Sequence, residues 1–198
     1  MLPAEWTVEP VADGPRYFEI RRPGESQLVA VGYRIPSAIA ADNNAVETAV
    51  DVLSSAPRGR LYKALVETGM AGQVFGWAMS AKCPSFVMFG AMVKKGDDIE
   101  RVKNVLIDTV ENAFKKTPAD ETEVGLSLAE AATDFERTLS DPEEFAVELS
   151  DYISLGDWRL YFYDRDATAK VTPADVNKAA ATYFVRDNRA VGVFIPDD

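Results

Sequence analysis

The last apolar run of the chain, Ala190-Val191-Gly192-Val193-Phe194-Ile195, constrains the fold more than any other segment. It alternates and branches as a strand does, yet it follows a long succession of helical patterns. A lone strand cannot bury its own apolar side chains, so this one must return to a sheet built near the N-terminus. Two strand patterns occur there. Tyr17-Phe18-Glu19-Ile20-Arg21 alternates, and the turn Arg22-Pro23-Gly24-Glu25 leads to Leu28–Ile35, which reads as more buried; together they suggest a hairpin. Gln73 to Ser80 alternates again. Pro84 then introduces Ser85-Phe86-Val87-Met88-Phe89-Gly90-Ala91-Met92-Val93, and the two segments read as adjacent central strands joined by a turn at Lys82-Cys83-Pro84.

Helical patterns fill the intervals. Asp42 is an expected N-cap for a helix with Val46, Ala49, Val50 and Leu53 on one face, and a second helix, Arg60 to Thr68, stops at Gly69. From Asp98, the residues Ile99, Val102, Val105, Leu106, Val110, Ala113 and Phe114 form one apolar stripe, closed by Pro118. Glu121 to Leu139 is helical, and Ser140-Asp141-Pro142-Glu143 has capping-box spacing ahead of a helix that ends at Gly156. Asp157 to Lys170 is aromatic and mostly helical. Thr172-Pro173-Ala174-Asp175 caps one more helix before the Asp187-Asn188 turn. Strand pairs with grouped helices between them predict an α+β class: a two-layer sandwich, its sheet mostly antiparallel, with helices packed on one face. Residues 1–15, rich in Pro, Glu and Gly, read as a linker or arm, and 16–198 as a single domain. A length of 198 residues suits one large domain or two small ones.

Among the function classes, several are excluded by what the chain lacks. It contains no histidine, which removes Ser-His and Cys-His nucleophile systems and every imidazole metal site. Zinc would have to be held by one thiolate and carboxylates, a poor match to its usual donors. We therefore expect no catalytic and no metal-binding residue in this chain. A net charge of -11 and scattered Lys and Arg argue against nucleic-acid binding. No apolar stretch is long enough to span a bilayer, and Met1–Trp6 lacks the basic start and apolar run of a signal peptide. Neither phosphate-loop glycine motif occurs. The acidic sets Asp97-Asp98, Asp120-Glu121-Glu123 and Glu143-Glu144 fall at expected helix starts, where negative charge suits the helix dipole. Trp158, Tyr161 and Phe162 share a helical side and read as core, and Cys83, the only cysteine, as a small buried hydrophobe.

A resemblance adds what composition does not. Asp51-Val-Leu-Ser-Ser-Ala-Pro-Arg-Gly-Arg-Leu-Tyr-Lys-Ala-Leu-Val-Glu67 resembles the L-x-x-G-x-x-S-R-L-Y-x-x-L signature in the second domain of bacterial insulinase/pitrilysin-type zinc peptidases. Trp6–Pro10 resembles that family's interdomain linker, and Arg21–Gly24 the domain's first turn. Leu155–Arg159 and Val171–Val176 resemble its late helices, and Asp187–Val193 its closing strand. The resemblance implies two similar α+β halves closing around a peptide. One half carries H-x-x-E-H and the zinc; the other supplies chamber wall. This chain resembles the second kind: no cofactor of its own, zinc in a partner catalytic domain on the same chain or a separate subunit, and peptides as substrates. The parent is then a zinc metalloendopeptidase, bacterial and periplasmic by resemblance, with the cytoplasm as the other compartment. The alternative is a catalytically retired member kept as a structural assembly subunit. Family members often carry an Arg after R-L-Y and a Tyr soon after; here Val66 and Gly72 or Gln73 stand at those places. Arg58, Arg60 and Gln73 are the residues expected near the chamber face, Arg60 having a structural salt bridge as its other reading.

Overall fold

The computed structural model describes residues 10 and 12–197; most of the expected linker, 1–15, lies outside them. Strand β1 (Arg16–Pro23) and β2 (Ser26–Ile35) precede helix α1 (Asn43–Ser54) and a π-helical turn (Tyr62–Val66). Then come β3 (Gln73–Ala78), β4 (Ser85–Lys94), α2 (Ile99–Lys116), α3 (Glu121–Ser140), α4 (Pro142–Leu155), α5 (Leu160–Thr168), α6 (Pro173–Tyr183) and β5 (Arg189–Asp197). The five strands form one sheet in the order β1-β5-β2-β4-β3. Three pairings are antiparallel and one, β1 with β5, is parallel. The class is α+β, as the pattern of elements predicts.

The final strand does return to the sheet, but into its interior, and this overturns the expected β1–β2 hairpin. β5 lies between them, parallel to β1 and antiparallel to β2. The reason is burial. Val191 and Val193 need cover and neighbours on both sides, whereas every residue of β1 is exposed, so the less apolar strand takes the edge. Likewise β4 is internal, but β3 is the other edge and not a central strand.

One sheet face is closed by α1, α2 and α6. Val29, Val31, Tyr33 and Ile35 of β2 and Val87, Phe89, Ala91 and Val93 of β4 alternate into it. Val46, Ala49 and Leu53 of α1, Val102, Leu106 and Val110 of α2, and Val176, Ala179 and Phe184 meet them. Phe184 stands edge-on to Phe89 at 5.5 Å and tilted against Tyr33 at 5.7 Å. At the rim, Arg189 Nη1 bonds Glu111 Oε1 at 2.7 Å, and the Tyr33 hydroxyl donates to the same oxygen at 3.1 Å.

The caps explain the helix starts, with two corrections. Thr172 accepts a backbone N–H bond as expected and with Asp175 completes a capping box, and Asp98 and Asp120, at expected helix starts, cap α2 and α3 in the same way. Asp141, not Ser140, caps α4. Ser140 is still in α3, its hydroxyl donating to the Glu136 carbonyl at 2.8 Å, while Asp141 Oδ1 takes the Glu143 and Glu144 amides. Asp42 occupies the cap position of α1 and its carbonyl accepts the Val46 amide at 3.1 Å, but its side chain makes no cap bond; the carboxylate accepts the Tyr183 hydroxyl at 2.5 Å instead.

Burial first, then the Asp42 bond and charge, push the Tyr183 phenol from 10.0 to about 12. A raised acid favours the neutral form of the folded state, so this contribution is whole below pH 10 and lost as pH climbs through 12. Tyr183→Phe is expected to flatten the loss of stability across that window, read by urea melts at successive alkaline pH values.

Candidate functional site

The segment after α1 holds the residues singled out from sequence. Arg58 Nη2 bonds Asp51 Oδ2 at 2.7 Å and also reaches Glu130, clamping the turn to α1 and α3. Arg60 is committed more deeply: its side chain is 11% exposed. Its Nε and Nη2 meet Glu123 at 3.0 and 2.5 Å, Nη1 meets the Thr117 carbonyl at 2.7 Å, and the guanidinium lies 4.6 Å from the Phe114 ring centre. That is the geometry of the salt-bridge reading, a planar fork pinned on both edges. Gln73 opens β3 and is exposed, opposite Met92 of β4. Among the described residues, no hydrogen bond links Gln73 to either arginine. Val66, at the place where the resemblance implies an Arg, is partly buried and packs against the core.

Other expectations divide. The three acidic sets do sit at helix starts, Asp98 and Asp120 as caps. Tyr161 is buried and stacks on Phe135 at 4.8 Å, but Trp158 is exposed. Cys83 is exposed, not buried. It stands in the β3–β4 turn before Pro84, outside the pleat that would have covered it.

Two surfaces were missed. The first is the second face of the sheet. Ladder register places Ile20, Phe194, Leu28, Met92 and Gln73 in one cross-strand row, and Phe18, Gly192, Ala30, Gly90 and Phe75 in the next. Met88 and Trp77 extend it, Trp77 edge-on to Phe86 at 5.5 Å. Phe18, Ile20, Trp77 and Met92 are exposed, and no helix of the described residues covers this face. A signal existed: Phe86–Val93 is apolar at successive positions, and such a run denotes a strand buried on both sides.

The second is a cleft of about 830 Å³ between α1, the end of β3, and α4 with α5. Glu47 sits in it, taking the Ser80 hydroxyl at 2.6 Å and the Asn43 amide at 3.0 Å. Burial raises its pKa most, the two bonds lower it, and the Asp164 charge raises it again. Asp164 accepts Asn44 Nδ2 at 2.6 Å and the Tyr152 hydroxyl at 2.8 Å. Burial, followed by Asp164, pushes the Tyr152 phenol strongly up. Helical spacing could not reveal this cluster, because Asn43 and Glu47 lie on α1, Tyr152 and Asp164 on α4 and α5, and Ser80 beyond the end of β3.

Nothing here suits a catalytic zinc. Among the described residues no three Cys, Asp or Glu side chains are grouped to hold a metal, and the donor set lacks imidazole altogether. No described helix is long and apolar enough to cross a membrane.

Comparison with known proteins fits this picture. The family described as the peptidase M16 inactive domain matches residues 2–127. The inactive peptidase domain of a Bordetella parapertussis chain assigned as a zinc protease is 37% identical. It covers 90% of this chain and 95% of its own, with a TM-score of 0.82. A chain from Bordetella pertussis Tohama I with the same assignment is 36% identical over 87% of this chain and 94% of its own, at TM-score 0.80. A protease from Helicobacter pylori shares the fold at TM-score 0.90 and 21% identity; it matches 99% of this chain, which spans 48% of the Helicobacter chain. No curated protein matches. With a family match over more than half its length and Bordetella relatives above one-third identity, the chain belongs to the peptidase M16 inactive-domain family.

Proposed function

We propose that this chain is the non-catalytic companion of a zinc endopeptidase, docking on a catalytic H-x-x-E-H half and walling the chamber that encloses peptides. Zinc belongs to that partner half, on the same polypeptide or a separate subunit. The observation that carries the reading is the uncovered apolar sheet face. Continuous apolar patches mark interfaces, and on this face Phe18, Ile20, Trp77 and Met92 stay exposed with no described helix over them. The Helicobacter protease chain is about twice as long as the part this chain matches, leaving room for a second half of similar size. In this reading residues 16–198 act as one unit and 1–15 as the linker. Gln73 and Arg58 border the chamber, and Arg60 holds the Arg58 turn in place through Glu123. The compartment proposed is the bacterial periplasm, with the cytoplasm as the other.

The test is reconstitution. The purified chain alone is expected to bind no stoichiometric zinc and to hydrolyse no peptide. Mixed with the histidine-bearing half encoded beside it, it is expected to restore zinc-dependent cleavage. Absence of cleavage with both parts folded and associated would favour the retired assembly subunit; turnover by the lone chain would overturn both readings.

A further inference from the structure

The bare sheet face carries a charge pattern opposite to that of the chain as a whole. Asp and Glu outnumber Lys and Arg by 32 to 21 in the sequence. Strand alternation and ladder register put four charged residues on this face, Arg16, Arg22, Arg34 and Lys94, and all four are cations. The described strands hold two carboxylates, Glu19 and Asp197, and both fall on the opposite register.

These cations stand at the two ends of the strands. Arg16 heads the cross-strand row of Ala190, Gly32, Met88 and Trp77, and Arg34 lies one pleat beyond Gly32. Arg22 and Lys94 close the other end, and the run from Arg16 to Arg22 spans about 20 Å of strand. The exposed apolar side chains Phe18, Ile20 and Met92 lie between them. Arg16 reaches Asp13 at 3.7 Å with both side chains mostly in water, a contact worth little. Arg34 Nη1 donates to the Pro10 carbonyl at 2.5 Å, which holds that side chain at its end of the face.

A trough of about 280 Å³ opens at the Arg16 end. Gly32 and Gly192 form part of its floor, Phe18 and Phe86 stand at its sides, and Arg16 and Arg34 border it. Missing side chains make the hollow: a Cβ on Gly32 would meet nothing nearer than the Val87 carbonyl at 3.6 Å. One large apolar side chain suits that space, and a carboxylate beside it would lie among guanidinium groups. Cations around an apolar face favour an acidic partner at contact and disfavour a basic one.

We propose that this face receives an apolar surface of the catalytic half that is rimmed with carboxylates, with one large apolar side chain of that half seated in the Gly32 trough. The proposal rests on the companion-domain reading and adds to it the chemistry of the docking partner. The test is titration calorimetry of the chain against the separately purified histidine-bearing half. Arg16→Glu with Arg22→Glu and Lys94→Glu, all at exposed positions, should weaken association at least about tenfold at about 0.05 M salt. The loss should shrink at about 0.5 M. Lys115→Glu with Lys170→Glu and Lys178→Glu, exposed cations outside the strands, makes the same change in net charge and should cost less than about threefold. Gly32→Leu fills the trough and should weaken association at least about tenfold at either salt. Melts of each variant alone should match the parent. Association that tolerates the strand reversals or the Gly32 change, or that loses as much to the control, overturns the proposal and keeps the companion. No association at all overturns both. Capture of the parent chain by vesicles of anionic phospholipid, lost in the strand-reversal variant, would overturn it in favour of a lipid surface.

Discussion

Phe184→Ala is expected to remove about 3–5 kcal/mol of stability, the largest loss of any single side chain considered. Phe184 is 0% exposed, and it closes the gap where the end of α6 crosses β2 and β4. Its ring contacts Tyr33 and Phe89, each itself buried, so truncation forfeits both aromatic contacts and leaves a cavity the rigid sheet does not collapse into. At this chain length such a loss lowers the melting temperature by roughly 6–20 °C. Thermal and urea melts of the purified variant check it. A change below about 1 kcal/mol would mean that α6 does not hold the sheet as described.

Charging the open sheet face should have the opposite signature. Ile20 is 44% exposed and Met92 41%, and they lie in the same cross-strand row with Phe194 and Leu28 between them. Because both side chains already face water in this chain, Ile20→Lys with Met92→Lys is expected to change its stability by no more than about 0.5 kcal/mol each. Against the catalytic half, two lysines would have to be desolvated at the centre of an apolar interface. Association should weaken by at least about 2 kcal/mol, roughly 30-fold, and reconstituted cleavage should fall with it at fixed protein concentration. Binding measured by titration calorimetry, beside a melt of the variant alone, separates the two effects. Unchanged association would mean that the catalytic half docks elsewhere.

Legibility from sequence differed across the molecule. The Ile99–Phe114 stripe is a helix in the structure, and Thr172 with Asp175 caps another, because period and capping are written within a dozen neighbouring residues. Failures came where the answer depended on a distant competitor. The β1–β2 turn looks like a hairpin until β5, more than 150 residues later, claims the space between the strands. Asp42 reads as a cap until Tyr183 reaches its carboxylate. Cys83 adjoins an apolar strand, yet the turn leaves it in water.

The candidate surfaces follow the same rule. The family resemblance rests on an ordered set of short contiguous segments, Asp51–Glu67 among them, and the missing imidazole is plain from composition, so family membership and the poor fit to zinc could be read directly. Glu47, Tyr152 and Asp164 come together only because α5 packs beside both α1 and α4, and no local spacing encodes that meeting. The chain's order alone determined most of its elements, its class and a donor set without imidazole, since these depend on side-chain type and short-range period. Which strand took the edge, which sheet face stayed bare, and where Glu47 and Asp164 came to share a cleft were decided by tertiary packing. Burial is a contest among segments for the same limited interior, and its outcome exists only once they are assembled.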